Sequence, residues 1–437
     1  MSEPYPRVST QPKELPKTRY ATESLWLIAL IIVVGNFAGT LAAPDQLCKI
    51  PFQNLLKNTL HVSREETARF FFLAGLFFYL KPLAGILTDA FPLFRTRRRY
   101  YLLLSSLFGA LGWLALLLVP RTYSALLTGV IALNLCIVMI STVTGAFLVE
   151  VGQSRGEVGK LTAIRQAARS ALFTIQGPLG GLLAGMAFWV STGTGAFITL
   201  SIFPIAYFYL KEKPTAKRNP AVFQNAGRQL GVLARSWPFW AATLFIGLYN
   251  FAPGLATMGY FRQNDVLHLN QHTIGLLGAD ANIAGLLAAF VYYRFARRVT
   301  MRTTLIVSVS LAALSQLLYV FYNTQALAFA IDFQGGLFGG YVAAALLDLA
   351  ARSTPAGCEG LGYAFIMSIN NVSTMGSDWL GSSIADKFHV SWNNMVILNA
   401  ATTALVLVLL PFMPKQTLQS KDNQTPNLEN TGEPEAA

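Results

Sequence analysis

The chain has 437 residues, 53% of them hydrophobic and only 12% charged, and its mean hydropathy is +0.46. That balance excludes an ordinary soluble domain, which carries about twice as much charge. The net charge of +12 is spread over separate short stretches, so it marks membrane topology and anionic headgroups and excludes a nucleic-acid partner.

In chain order, residues 1–23 hold Pro4, Pro6, Pro12 and Pro16 among polar residues. They read as a disordered cytoplasmic tail with no cleavable signal peptide before the first span. A crossing needs roughly 20 apolar residues. Such stretches fall at 24–43, 67–89, 99–119, 123–149, 161–187, 188–210, 236–258, 272–294, 302–322, 325–350, 360–384 and 392–413. The expected fold is therefore an all-α integral membrane protein of twelve transmembrane helices in two six-helix bundles, 24–210 and 236–413. A cytoplasmic central loop, 211–235, separates them, and 414–437 reads as a second disordered cytoplasmic tail. The first span has two readings. Either it ends near Ala43, or it breaks at Pro44 and resumes through Leu60, which turns Asp45 and Gln46 into a central cavity.

The stretch 81–101, KPLAGILTDAFPLFRTRRRYY, places Asp89 at the end of one apolar run and Arg95, Arg97, Arg98 and Arg99 before the next. Arginine clusters in short loops stay on the cytoplasmic side. With the N-terminus inside, inner segments carry more than three times as many Lys and Arg residues as outer ones. Both termini are thus expected in the cytoplasm, with the chain in the plasma or inner membrane.

The halves echo one another. Ala84-Gly85-Ile86-Leu87 precedes Arg97-Arg98, and Ala284-Gly285-Leu286-Leu287 precedes Arg297-Arg298 at the same offset. Two parallel repeats of six spans are the arrangement of major-facilitator transporters. Gly85-x-x-x-Asp89 with its basic cluster resembles the signature between the second and third helices of the major facilitator superfamily. In more detail, 81–102 is similar to the same segment of the folate–biopterin transporter family. So are 355–371, from Pro355-Ala-Gly-Cys-Glu359-Gly to Asn370-Asn371, and Phe147-Leu-Val-Glu150 at the end of the fourth span. This chain departs from that family where Ser141, Thr142, Thr144 and Gly145 stand in place of aspartates. A muropeptide-permease-like branch of the superfamily shares the layout of the first two helices and is the alternative.

The resemblance implies a secondary transporter working by alternating access, whose inner gate is an ion-pair network of Asp89, Arg97, Arg98 and Glu150. Arg165, near the cytoplasmic end of its span, is assigned to the same gate, paired with Asp89 or Glu150; a solvated topogenic loop is the plainer reading of the arginines. Ionisable residues at membrane depth face a cavity or a partner. Lys81 reads as a cationic anchor for an anionic solute, or as a lysine bent toward water beside Pro82. Arg169 and Gln176 share a helical face with Arg165 and line the path or brace it. Asp45, Gln46, Asn371 and Asp378 complete the expected substrate-binding set, with amides that read polar groups or join helices. Asp280 and Asp45 are the candidates for proton coupling. Asp332 reads as a capped carboxylate beside a glycine packing surface, Gly335, Gly336, Gly339 and Gly340.

Other classes find little support. His61, His268, His272 and His389 lack a zinc-protease pattern, and Gly159-Lys160 lacks the glycines of a phosphate loop. Cys48, Cys136 and Cys358 form neither a disulfide framework nor a metal motif. No enzyme, cofactor or metal is expected, and the expected partners are a small-molecule substrate and the bilayer, with the chain a monomer. A non-transporting receptor or scaffold is the competing class.

Overall fold

The structure, a computed structural model, describes residues 24–214, 221–296, 299–355 and 357–419. The expected N-terminal tail 1–23, residues 420–437 of the C-terminal tail and the Arg297-Arg298 pair of the repeat lie outside the described residues.

The first span begins as α1 (Leu25–Asn36), widens into a π-type turn at Phe37–Leu41, turns around Pro44, and resumes as α2 (Lys49–Asn54) and a second π-type segment, Leu55–Thr59. The helix therefore breaks at proline and continues, which is the second of the two sequence readings. The second span is segmented into α3 (Arg64–Ala74), α4 (Leu76–Tyr79) and α5 (Lys81–Ala90). It starts earlier than its apolar run because Ser63 and Glu66 form a capping box, with the Ser63 hydroxyl accepting from the Glu66 N–H. It breaks at Leu80 because Pro82 follows, so Lys81 opens a new helix rather than sitting inside one.

Then come α6 (Arg99–Ala115), α7 (Tyr123–Arg155), α8 (Val158–Ala184), α9 (Phe188–Leu200) and α10 (Ile202–Tyr209). The expected central loop is not all loop: it contains α11 (Ala221–Arg235), an amphipathic helix whose Phe223 ring lies 5.8 Å from Phe91. A long polar interruption hid this helix, because its apolar stripe is read only at helical spacing. The seventh span is α12 (Trp237–Asn250), a break around Pro253, and α13 (Ala256–Asp265). The chain finishes with α14 (Gln271–Ala296), α15 (Met301–Leu317), α16 (Gln325–Ser353), α17 (Glu359–Lys387), α18 (Trp392–Leu405) and α19 (Lys415–Gln419). Among the described residues, six helices are long and apolar enough alone to cross a bilayer, including Tyr123–Arg155 and Gln325–Ser353. The first, second and seventh spans fall short because they are broken, α6 because it has 17 residues, and α8 and α17 because polar and charged residues interrupt their apolar runs.

Buried apolar residues gather in clusters that draw their buried members either from 28–210 or from 233–418. Between these groups, α8 and α14 approach most closely where glycines meet. A Cβ on Gly177 would press on the Gly275 carbonyl, and one on Gly275 on that of Gly177. The Asn282 amide ties the same pair by donating to the Phe173 carbonyl at 2.7 Å. Where the first span meets the second, Lys57 pairs with Asp265 at 2.5 Å, Arg64 with Asp386 at 2.6 Å and Lys387 with Glu65 at 3.4 Å. Three of the basic residues assigned to the outer loops thus join the two groups of helices.

Candidate functional site

A cavity of about 190 Å³ opens where these two groups meet, walled by the broken first span, by α3, α5, α7 and α8, and by α17 from the other group. Its position follows from the breaks. Irregular backbone at membrane depth is tolerated where it lines a cavity, and the turn at Pro44 delivers Asp45 and Gln46 to this wall. The restart at Leu80 delivers Lys81, whose Nζ donates to the Ser141 hydroxyl at 2.8 Å. Arg165 and Arg169 reach in from α8 and Asn371 from α17, while Asn36 also lines the wall.

The electrostatics are one-sided. Lys81, Arg165 and Arg169 carry three positive charges against the single carboxylate of Asp45. Among the described residues none of the three cations pairs with a carboxylate. Asp45 accepts from the Gln46 amide at 3.0 Å through Oδ2, and its Oδ1 is buried without a hydrogen bond. Aromatic rings complete the wall: Phe71, Phe78, Tyr79 and Phe173, with the Arg169 guanidinium 5.1 Å from the Phe173 centroid. A cavity with excess positive charge, one carboxylate edge and several ring faces suits a planar, anionic solute.

The sequence candidates divide. Lys81, Asp45, Gln46, Arg169 and Asn371 come together here. Gln176 does not line the wall; it is one position from Gly177, where α8 turns its surface toward α14. Asp378 is placed elsewhere, as part of the seventh-span break. Its two oxygens accept from the Thr257 N–H at 2.8 Å and the Thr257 hydroxyl at 2.7 Å, capping the start of α13. Next to it, the Gly254 N–H donates to the Ser377 carbonyl at 2.8 Å, and the Asn399 amide donates to the Pro253 carbonyl at 2.8 Å. Asp280 is half-buried in α14, off the cavity wall, with Oδ2 buried and without a hydrogen bond.

Arg165 faces the cavity rather than the acidic residues proposed for it. The partner of Asp89 and Glu150 is Arg98, at 2.5 Å and 2.6 Å, with a further hydrogen bond to Thr88 at 3.1 Å. The Arg98 side chain is only 2% exposed. Arg97 joins through its backbone: the N–H groups of Arg97, Arg98 and Arg99 converge on the Glu212 carboxylate at 2.8, 3.0 and 3.2 Å. Glu212 was not among the candidates, although a lone acid between Lys211 and Lys213 at the start of a basic loop is the signal that singles it out. Tyr79, Ser141 and Phe173 were missed as cavity residues because nothing in their spacing separates them from packing.

Comparison with known proteins agrees with this architecture. The model of the BT1 family matches residues 43–202, and that of the Major Facilitator Superfamily matches 256–432. A folate–biopterin transporter of Synechocystis sp. is 27% identical, over 94% of this chain and 86% of its own. Folate transporter 2 of Plasmodium falciparum is 25% identical, over 78% of each. Among solved structures, a D-xylose–proton symporter superposes with a TM-score of 0.67 over 90% of this chain and 98% of its own, at 12% identity. A nucleoside transporter superposes with the same score and identity, over 89% and 98%. Matches to both halves, relatives along nearly the whole length and a shared fold converge: the chain is a secondary transporter, an integral membrane protein whose halves match the BT1 and Major Facilitator Superfamily models and which resembles the folate–biopterin transporters.

Proposed function

We propose that the chain moves folate-like anions, a pterin ring bearing carboxylates, through the bilayer by alternating access. The carrying observation is the set of three cations without carboxylate partners set against the open oxygen of Asp45. A pterin presents its N3–H and 2-amino groups side by side, a match for a carboxylate edge. Asp45 takes that edge, the rings of Phe71, Phe78 and Tyr79 pack on the fused ring, and Lys81, Arg165 and Arg169 take the carboxylates. The names of the relatives support the same substrate class.

In this reading the groups 24–210 and 236–413 rock as two bundles about the cavity. The Asp89–Arg98–Glu150 cluster is the inner gate, and the ion pairs of Lys57, Arg64 and Lys387 close the opposite face. Both termini lie in the cytoplasm, by the bias of basic residues, and the monomer is the working unit. Asp280 and Asp45, each with an unsatisfied carboxylate oxygen, carry the coupled proton. Identical uptake with and without a pH gradient would remove the coupling.

The site assignment is tested by the ligand dependence of thermal unfolding in purified protein. Asp45→Asn should weaken both folate and the uncharged biopterin by about tenfold to a hundredfold, the cost of one lost charge-assisted pair. Equal stabilisation of Asp45→Asn and wild type by biopterin would place the ring elsewhere.

A further inference from the structure

A second cavity, about 350 Å³, lies wholly among α12, α13, α15, α16 and α18, apart from the central one. Its floor is Asp332. Tyr319 and Tyr322 each donate a phenol proton to that carboxylate, at 3.0 Å and 2.8 Å. The Gln263 amide donates to the Tyr322 oxygen at 2.8 Å, which leaves the phenol's own proton for Asp332. Both oxygens of the carboxylate therefore accept, and the group offers acceptor lone pairs to the cavity.

Several donors on the wall are already engaged. Tyr260 donates to Gln271 at 3.1 Å, Ser315 to the Ala312 carbonyl at 3.0 Å and the Trp392 indole N–H to the Tyr319 carbonyl at 2.7 Å. Acceptors remain open. Gln316 Oε1 and Asn399 Oδ1 are buried without a hydrogen bond, Asn399 is only 7% exposed, and its amide N–H is already used by Pro253. No Lys, Arg or His lines the cavity. The Tyr319 and Tyr322 rings stack at 5.5 Å, and Trp392 already carries one cation, the Arg262 guanidinium, 5.1 Å from its ring centroid.

We propose that this cavity binds a small organic cation, an amine or quaternary ammonium with an apolar body. A carboxylate, two open carbonyl acceptors and aromatic faces, with no basic side chain in the lining, are complementary to such a group. The glycines beside Asp332 therefore make room as well as packing: Gly339 lines the cavity, and a Cβ there would meet nothing within 4 Å.

The test uses the full chain, purified in detergent, with benzyltrimethylammonium chloride as probe and sodium benzenesulfonate at equal ionic strength as control. A saturable rise in melting midpoint is expected with the cation and not with the sulfonate. Gly339→Leu fills the space without touching the Asp332 network and should abolish the rise. Asp332→Asn should abolish it too, whereas Lys81→Ala, in the central cavity, should leave it intact. No saturable rise in wild type, or a rise that persists in Gly339→Leu, overturns the proposal.

Discussion

Arg98→Ala is expected to lower stability by about 3 kcal/mol, the low end for breaking a buried ion pair. Arg98 is nearly inaccessible, and its Nη2 serves Asp89 and Glu150 together. Removing it takes the shared guanidinium away from both acids. The loss stays at the low end because the Asp89 and Glu150 side chains are 38% and 27% exposed, so water takes over part of the solvation. Arg98→Lys should recover only part of it, since an ammonium cannot reach Thr88 and both acids with a planar fork. Thermal unfolding in detergent reads this directly. An Arg98→Ala midpoint equal to wild type would mean that the cluster holds nothing together.

Arg169→Ala and Lys81→Ala should do the opposite to stability and far more to transport. Both remove charge from a cavity holding three cations and one carboxylate, so they relieve repulsion, and their melting midpoints should equal or exceed wild type. Each also removes a charge-assisted bond to the solute, about 1.5–3 kcal/mol, which corresponds to roughly tenfold to a hundredfold in apparent affinity for folate. Binding of biopterin, which has no carboxylate, should barely change. Saturation curves of uptake with the two ligands separate these effects. Equal losses for both would assign the cations to packing or gating.

The all-helical plan was legible because apolar length is nearly sufficient to locate a span. Lys81 and Arg169 were legible because charge at membrane depth has few uses, and Asp45 and Gln46 because a proline inside an apolar run forces a break. What escaped was tertiary. Gln176 shares a stripe with Arg169 by spacing, yet one position on, Gly177 closes that face against α14. Asp378 looks like a cavity acid by the same spacing, but the break at Pro253 exposes N–H groups that need an acceptor, and Asp378 is the one in reach. Arg98 meets Asp89 and Glu150 as expected, whereas Arg165 lines the cavity instead, because chain order does not say which arginine curls back over the end of α5. The helix 221–235 escaped for a different reason: its polarity masks its periodicity.

Folate transport by alternating access is tested most directly by counterflow in proteoliposomes preloaded with unlabelled folate, following entry of labelled folate. Transient accumulation above equilibrium is expected in wild-type vesicles, and a strong reduction in Arg169→Ala vesicles containing equally well-folded protein. Accumulation no greater than in protein-free vesicles, with the wild-type protein folded, would contradict it.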